Sequence, residues 1–186
     1  MPNYRLQLTA RVFLAERPQL SRSVGRANRM NRERRFMKWD RYWDDLTEGE
    51  RLSCRPVEFS REEIIDFAKR HDPQPFHVDE EIAKRSIFGG LIASSLHTIS
   101  ACTRVVVEAQ GNLAIMSGLG IDEVKLFNPV RPGDVLSVEA YWSGLKRSRS
   151  KPDRGVAHLK CKVSNHRGEN VAEYGYKYLV ACRKHV

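Results

Sequence analysis

The sequence lacks the short motifs that identify several enzyme classes. It has no H-E-x-x-H, no P-loop and no G-x-G-x-x-G after a strand, so zinc proteolysis, phosphate-loop nucleotide binding and dinucleotide redox chemistry are not indicated. No C-x-x-C pair is present, which argues against a zinc knuckle or a redox dithiol. In a chain of this length we expect reduced thiols and a cytoplasmic location. The four cysteines are Cys54, Cys102, Cys161 and Cys182.

Acidic residues are scarce at the N-terminus. Residues 1–36 hold nine Arg and two Glu, which gives +7 of the net charge of +9 and leaves +2 for the other 150 residues. No basic stripe interleaved with aromatics marks the rest of the chain, so we expect no nucleic-acid partner. No secretory hydrophobic region with a cleavage site is present.

Three interpretations of residues 1–36 remain open. The start codon is assigned too far upstream, with Met37 or Met30 the true start, or the segment is a disordered or loosely packed basic extension. An Arg-rich transit peptide is the third interpretation. In each case we place one domain at residues 37–186.

Formal charge is absent from Ser86 to Thr103. The stretch is barely long enough for a membrane span, and it contains several Ser and Thr, two Gly and a His. We therefore predict no membrane partner, and instead a buried helix from about Leu91 to Gln110 with Ile92, Leu96, Ile99 and Val106 on one face.

Local patterns predict the other elements. Ser60 with Glu63 forms a capping box, and the helix that it starts must end near His71, because Asp72 precedes a proline. Asp79 is expected to cap a short helix from Glu80 to Ser86. Period-two alternation predicts strands over 115–127 (broken near Gly118–Gly120), 135–142, 157–163 and 172–182, and a first strand over 51–59. This order predicts an α+β fold, a single domain in which a curved antiparallel sheet surrounds one long helix.

Asp72 and His77 are the acid–base candidates. They lie five residues apart in a loop that Pro73 and Pro75 stiffen, and an imidazole beside a carboxylate can move a proton near neutral pH. The residues alone fit a structural interpretation equally, with Asp72 ending a helix in a turn and His77 packed. At the start of the long helix, unpaired backbone N–H groups near Ser94 and Ser95 could hold an oxyanion, or these small residues serve close packing.

Three segments together resemble the MaoC-like dehydratases and R-specific enoyl-CoA hydratases. They are Asp72-Pro73-Gln74-Pro75-Phe76-His77 with Phe88-Gly89-Gly90-Leu91-Ile92-Ala93, then Pro129-Val130-Arg131-Pro132-Gly133-Asp134, and Ser148 to Gly155. The resemblance runs from about Trp39 to Arg183. Two positions depart from the family's pattern: Gln74 stands where Asn is usual, and Ser95 where Gly is usual.

The resemblance implies a hot-dog fold, a homodimer, and reversible addition of water to a 2-enoyl-CoA in fatty acid metabolism, with no cofactor beyond the coenzyme A of the substrate. It assigns Asp72 and His77 to the water, and the backbone N–H of Ser95 to the thioester carbonyl. Thr103 falls where hydratases carry a supporting serine. The basic loop from Lys146 to Arg154 is a candidate for the coenzyme A phosphates. A hot-dog thioesterase and a non-catalytic acyl-CoA-binding partner subunit remain alternatives.

Overall fold

The computed structural model describes residues 39–183, and the interpretations of residues 1–36 lie outside that range. After a short 3-10 helix at Trp43–Asp45, the strands are β1 (Arg51–Ser53), β2 (Val57–Glu58), β3 (Ile115–Leu126), β4 (Val135–Arg147), β5 (Arg154–Asn165) and β6 (Asn170–Ala181). The helices are α1 (Arg61–His71), α2 (Pro75–Val78), α3 (Glu80–Lys84) and α4 (Ser95–Gln110). The α+β prediction is confirmed.

Helix α1 begins and ends where the sequence predicts. Ser60 accepts a hydrogen bond from the Glu63 N–H, and the Glu63 carboxylate accepts one from the Ser60 N–H, as in a capping box. At the other end Asp72 is the C-cap, and its backbone N–H donates to the carbonyl of Ala68. The proline after Asp72 prevents another helical turn, so the Asp72 side chain is held at the end of α1.

The predicted first strand over residues 51–59 is wrong in its extent. The chain pairs with β4 at β1 and again at β2, with Cys54–Pro56 unpaired between them. Pro56 has no backbone N–H, so it cannot donate in a continuous ladder. Helix α3 is also shorter than predicted and ends at Lys84, with Asp79 capping it through the N–H of Ile82.

The central helix α4 begins at Ser95, four residues later than predicted from Leu91. Leu91 to Ser94 are buried but lie outside the helix, and there the N–H of Ala93 donates to the carbonyl of Val130. One face of α4 packs into the core through Thr98, Cys102, Val105, Val106 and Gln110. Leu96 is 54% exposed and does not join the core face to which the pattern assigned it.

The six strands form one curved antiparallel sheet. Its order is β1-β4-β5-β6-β3, and β2 also pairs with β4. The pairing of β3 with β6 shifts register at three places, one of them between Gly118 and Gly120, so the predicted break is confirmed. Along β6 the side chains predicted to face inward are buried: Ala172, Tyr174, Tyr176, Tyr178, Val180 and the following Cys182.

The turn before β4 ties the sheet to the loops that carry the candidate site. Asp134 is 2% exposed, accepts a hydrogen bond from the Arg131 N–H, and forms an ion pair with Arg167. Gly133 adopts a φ of +82°, which favours glycine. This turn fixes Val130 and Arg131 beside the loop that follows α3.

None of the helices within residues 39–183 is long and apolar enough to cross a membrane.

Candidate active site

The loop after α1 turns directly into α2, which carries the imidazole. Gln74 is the N-cap of α2 and Pro75 occupies its first turn, where the missing N–H costs nothing. This short helix was not predicted from the sequence. It places His77 in the interior, where the residue is only 5% exposed.

The tautomer of neutral His77 follows from its buried hydrogen bond. Nδ1 lies 2.8 Å from the carbonyl oxygen of Ile92. A carbonyl oxygen only accepts, so Nδ1 carries the proton and donates. Nε2 of the neutral ring therefore presents a lone pair, and it lies 3.6 Å from Oδ2 of Asp72.

The Asp72 carboxylate is held at both oxygens. Ser94 Oγ donates to Oδ2 over 2.6 Å, and Gln74 Nε2 lies 3.3 Å from Oδ1. The Ser94 hydrogen bond lowers the pKa of the Asp72 carboxyl, an effect that burial opposes and that the Gln74 hydrogen bond and, when its ring is protonated, the charge of His77 reinforce. Gln74, where the family usually has Asn, thus still supplies an amide donor to the acid.

Asp72 and His77 both line a cavity of about 280 Å³. Most of its other walls are apolar or aromatic, and they come from α2, the loop before α4, the end of β3, the segment leading to Val130, and the start of β6. The lining residues include Phe76, Phe88, Ile92, Ala93, Leu126, Phe127, Pro129, Val130 and Val171. An apolar cleft with a few convergent polar groups is typical of a small-molecule site.

The first residue of α4 reaches the same cavity. Ser95 lines it, and within residues 39–183 no acceptor is found for the Ser95 N–H. The next N–H, of Leu96, is already bonded to the hydroxyl of Ser94 over 3.2 Å. A free N–H at the start of a 16-residue helix lies at the positive end of its dipole and can stabilise an oxyanion.

The gap between acid and imidazole has a chemical consequence. At 3.6 Å, the carboxylate oxygen and an unprotonated Nε2 are both acceptors and cannot bond to each other directly. A water molecule can donate one hydrogen to each of them. The geometry of the pair can accommodate a water molecule between the two acceptors, and either acceptor can take a proton from it.

The loop over the cavity is braced from the side. Arg131 Nη2 donates to the carbonyl of Phe88 over 2.7 Å. Gly89 has a φ of +65°, and a side chain at Gly90 would meet Arg131 Nη1 at 3.4 Å. The positive φ of Gly89 allows the loop to turn sharply, whereas a side chain at Gly90 would make only an ordinary contact with the guanidinium.

One residue and one loop that the sequence assigns to the site lie away from the cavity. Thr103 does not line the cavity, and its hydroxyl bonds with the Ile99 carbonyl and the Tyr176 hydroxyl. The Lys146–Arg154 loop joins β4 to β5 at the far end of β4 from Val130, about 40 Å along a 13-residue strand. The structure does not bring this loop to the cavity.

A larger groove of about 780 Å³ lies between α1, β2 and α4. It contains none of the predicted site residues. His97 lines it and stacks on Phe67 with ring centroids 4.5 Å apart, and burial lowers the pKa of His97. Size alone does not make it the active site, because Asp72, His77 and the free N–H of Ser95 converge on the smaller cavity. Among the described residues, no cluster of three or more His, Cys, Asp or Glu is placed to hold a metal ion.

The contact between Ser94 and Asp72 is one that the sequence does not predict. The sequence predicts a helix that starts at Leu91, which puts Ser94 in its first turn, whereas in the structure Ser94 is the N-cap. A serine before an apolar helical run is itself a cap signal. Its second contact, with Asp72, joins positions 22 residues apart and leaves no local pattern.

The sheet, the long helix and the cavity at the helix start together define a hot-dog protein with an acid–imidazole pair. Residues 45–164 match the family model described as a MaoC-like domain, and the chain belongs to that family. It is similar to the uncharacterized protein YdeM of Bacillus subtilis, with 33% identity over 95 residues, which is 50% of this chain and 67% of YdeM.

One solved structure of a MaoC-like dehydratase is similar to this chain in sequence and fold, and a second solved structure is similar in fold. The MaoC-like dehydratase from Rhodospirillum rubrum is 38% identical, with a TM-score of 0.71, and the match covers 77% of this chain and 99% of that one. The R-hydratase PhaJ1 from Pseudomonas aeruginosa, in its unliganded form, is 21% identical with a TM-score of 0.62, over 77% of this chain and 86% of that one. The second likeness shows the fold alone.

Proposed function

We propose that the protein is an acyl-CoA hydratase/dehydratase that adds water reversibly to a 2-enoyl-CoA thioester. The observation that carries the proposal is the pair formed by Asp72 and His77, two acceptors 3.6 Å apart on the wall of an apolar cavity. The family membership supports the same reaction class.

In the hydration direction, the water held by Asp72 Oδ2 and His77 Nε2 attacks C3 of the enoyl group. Its oxygen forms the new C–O bond, and one of its protons passes to the pair. The C2–C3 double-bond electrons move toward the thioester and give an enolate. The pair then returns the proton to C2, so the product is a 3-hydroxyacyl-CoA and the atoms balance without a cofactor.

The developing negative charge falls on the thioester oxygen. The free N–H of Ser95 is the donor we assign to it, because it lines the cavity at the positive end of α4. The donor is a backbone group, so the serine that replaces the family's usual glycine retains it. The apolar walls suit the acyl chain and exclude water other than the reacting molecule.

The proposal is tested with purified protein and short- and medium-chain enoyl-CoAs. Hydration removes the conjugated-thioester absorbance without releasing free thiol, and this is the expected result. Release of free thiol would instead support the thioesterase. If acyl-CoA binds without either change, the protein is the non-catalytic binding subunit and the proposed reaction is wrong.

We also propose that the protein is a homodimer formed through β3. This strand lies at the end of the sheet order, so one edge of its backbone is unpaired within residues 39–183. It exposes a row of apolar side chains: Met116, Leu119, Ile121, Val124 and Leu126. A long apolar edge needs a cover, and a second copy offers the same row and the same unpaired groups in an isologous contact.

Dimerisation would also extend the cavity wall, because Leu126 and Phe127 line the cavity and are each about half exposed. We expect light scattering to give twice the mass of the chain, and Ile121→Lys to give a monomer. Val107→Lys is the matched control, since Val107 on α4 is 50% exposed and Ile121 is 52% exposed. A monomeric wild type, or an Ile121→Lys dimer, would overturn this proposal.

A further inference from the structure

The hydroxyl of Ser94 contacts two parts of the candidate site at once. Ser94 is fully buried, donates to Asp72 Oδ2 over 2.6 Å and accepts from the Leu96 N–H over 3.2 Å. We propose that Ser94 is a positioning residue whose single hydroxyl fixes the Asp72 carboxylate relative to the free N–H of Ser95. This inference rests on the function proposed above and adds a residue that its chemistry does not otherwise use.

Ser94 acts through its neighbours and not on the substrate. It does not line the cavity, whereas Asp72 and Ser95 do. A serine hydroxyl has one proton, and here Asp72 receives it. Ser94 therefore has no proton to offer a substrate carbonyl.

At the helix end, the cap decides which backbone donor stays free. The start of a helix carries several N–H groups without partners, and an N-cap side chain satisfies one of them at the second or third position. Ser94 takes the N–H of Leu96, the second residue of α4. The N–H of Ser95 is left for the cavity.

At the acid end, the hydroxyl fixes the orientation of the carboxylate. Oδ2 is the oxygen that faces His77, and it is also the oxygen that Ser94 holds. Asp72 belongs to the end of α1, and Ser94 to the start of α4. Among the described hydrogen bonds, this one joins the Asp72 side chain to α4, so its loss frees the acid to rotate away from the water position.

The test compares Ser94→Ala with Ser60→Ala. Ser60 is also an N-cap serine, on α1, but its hydroxyl contacts Glu63 and not Asp72, so the substitution matches the cap loss without touching the acid. Ser94→Thr keeps a hydroxyl and serves as the conservative rescue. If Ser94→Ala does not fold, Ser94→Cys keeps a side chain of similar size with only a weak donor.

Two readouts separate positioning from general stability. We expect Ser94→Ala to lower kcat roughly 10- to 100-fold with little change in KM, as loss of a hydrogen bond to a charged group implies. We expect Ser60→Ala to leave kcat unchanged and Ser94→Thr to recover most of it. Carbon NMR of the Asp72 carboxyl, assigned with Asp72→Asn, should show its titration midpoint at higher pH in Ser94→Ala only.

The NMR titration of Asp72 does not need substrate turnover. It therefore separates a failure of the proposed function from a failure of the inference about Ser94. If the wild type hydrates no enoyl-CoA, the proposed function fails, but a shifted midpoint in Ser94→Ala still shows that Ser94 controls the acid. If Ser94→Ala and Ser60→Ala lose similar stability and neither changes the midpoint or kcat, Ser94 is only a helix cap and the inference is wrong.

Discussion

Replacing the Asp72 carboxylate by a carboxamide separates a catalytic role from the structural interpretation that the sequence left open. Asp72→Asn keeps the side chain's size and an oxygen that can accept the hydrogen bond from Ser94. It removes the negative charge and the basic oxygen that faces His77 at 3.6 Å. If Asp72 only ends α1 in a turn, the variant loses little; if it activates water, the variant loses turnover.

The two effects differ in size. General-base catalysis contributes about 10²- to 10⁴-fold, which is about 3–5 kcal/mol in the activation free energy. The hydrogen bond from Ser94 changes from charge-assisted to neutral, which lowers the free energy of unfolding by about 1 kcal/mol. We therefore expect a folded variant with a large loss of kcat/KM.

Stability should also depend on pH in a defined direction. The hydrogen bond from Ser94 lowers the pKa of Asp72 in the folded protein. The carboxylate therefore adds stability above the unfolded-state pKa of about 4, and this contribution is lost as the pH falls through the folded-state value. Chemical denaturation should show the difference between wild type and Asp72→Asn shrinking at acidic pH.

Asp79→Asn is the matched control for the acid. Asp79 caps α3 through the N–H of Ile82 at 2.9 Å and does not line the cavity. We expect Asp79→Asn to keep nearly all of its stability, because Asn caps a helix about as well as Asp, and to keep wild-type turnover. Wild-type kcat/KM in Asp72→Asn, measured by loss of the conjugated-thioester absorbance, would remove Asp72 from the mechanism.

Two further substitutions test the role of the His77 imidazole and the packing of Trp43 against Gly155. In His77→Asn the new amide can still donate to the Ile92 carbonyl, so we expect a folded protein whose turnover falls about 10²-fold or more because no base replaces Nε2. Near-normal turnover would exclude His77 as the base. A Cβ at Gly155 would collide with the Trp43 indole, so Gly155→Ala should lower the free energy of unfolding by about 1–3 kcal/mol. Gly144→Ala, whose Cβ would meet His158 at an ordinary 3.9 Å, should cost less, and equal losses would contradict the packing argument.

The sequence predicts elements well where the signal is local. The capping box of Ser60 and Glu63 marks the start of α1, and the proline after Asp72 marks its end. Each of these signals spans only a few residues of the sequence. The alternation along β6 likewise predicts which side chains are buried. Pro56 was an available signal that the first strand could not be continuous, because it interrupts the ladder between β1 and β2.

The features that the sequence does not predict depend on contacts between distant segments of the chain. The run from Leu91 to Ser94 is apolar enough for a helix, but the hydrogen bond from Ala93 to Val130 holds it outside the helix. The bond from Ser94 to Asp72 and the bond from His77 to Ile92 join positions 22 and 15 residues apart. Composition therefore leaves Asp72 and His77 ambiguous, and only the folded chain brings them to one cavity.

The central claim is that Asp72 and His77 direct water to C3 of an enoyl thioester. The most direct measurement is to supply enoyl-CoA in water labelled with heavy oxygen and to locate the label by mass spectrometry. We predict one labelled oxygen in the hydroxyl at C3 of an intact 3-hydroxyacyl-CoA, and almost none with Asp72→Asn. Label in the carboxyl group of a released free acid, or C3 label that Asp72→Asn does not reduce, would contradict the account.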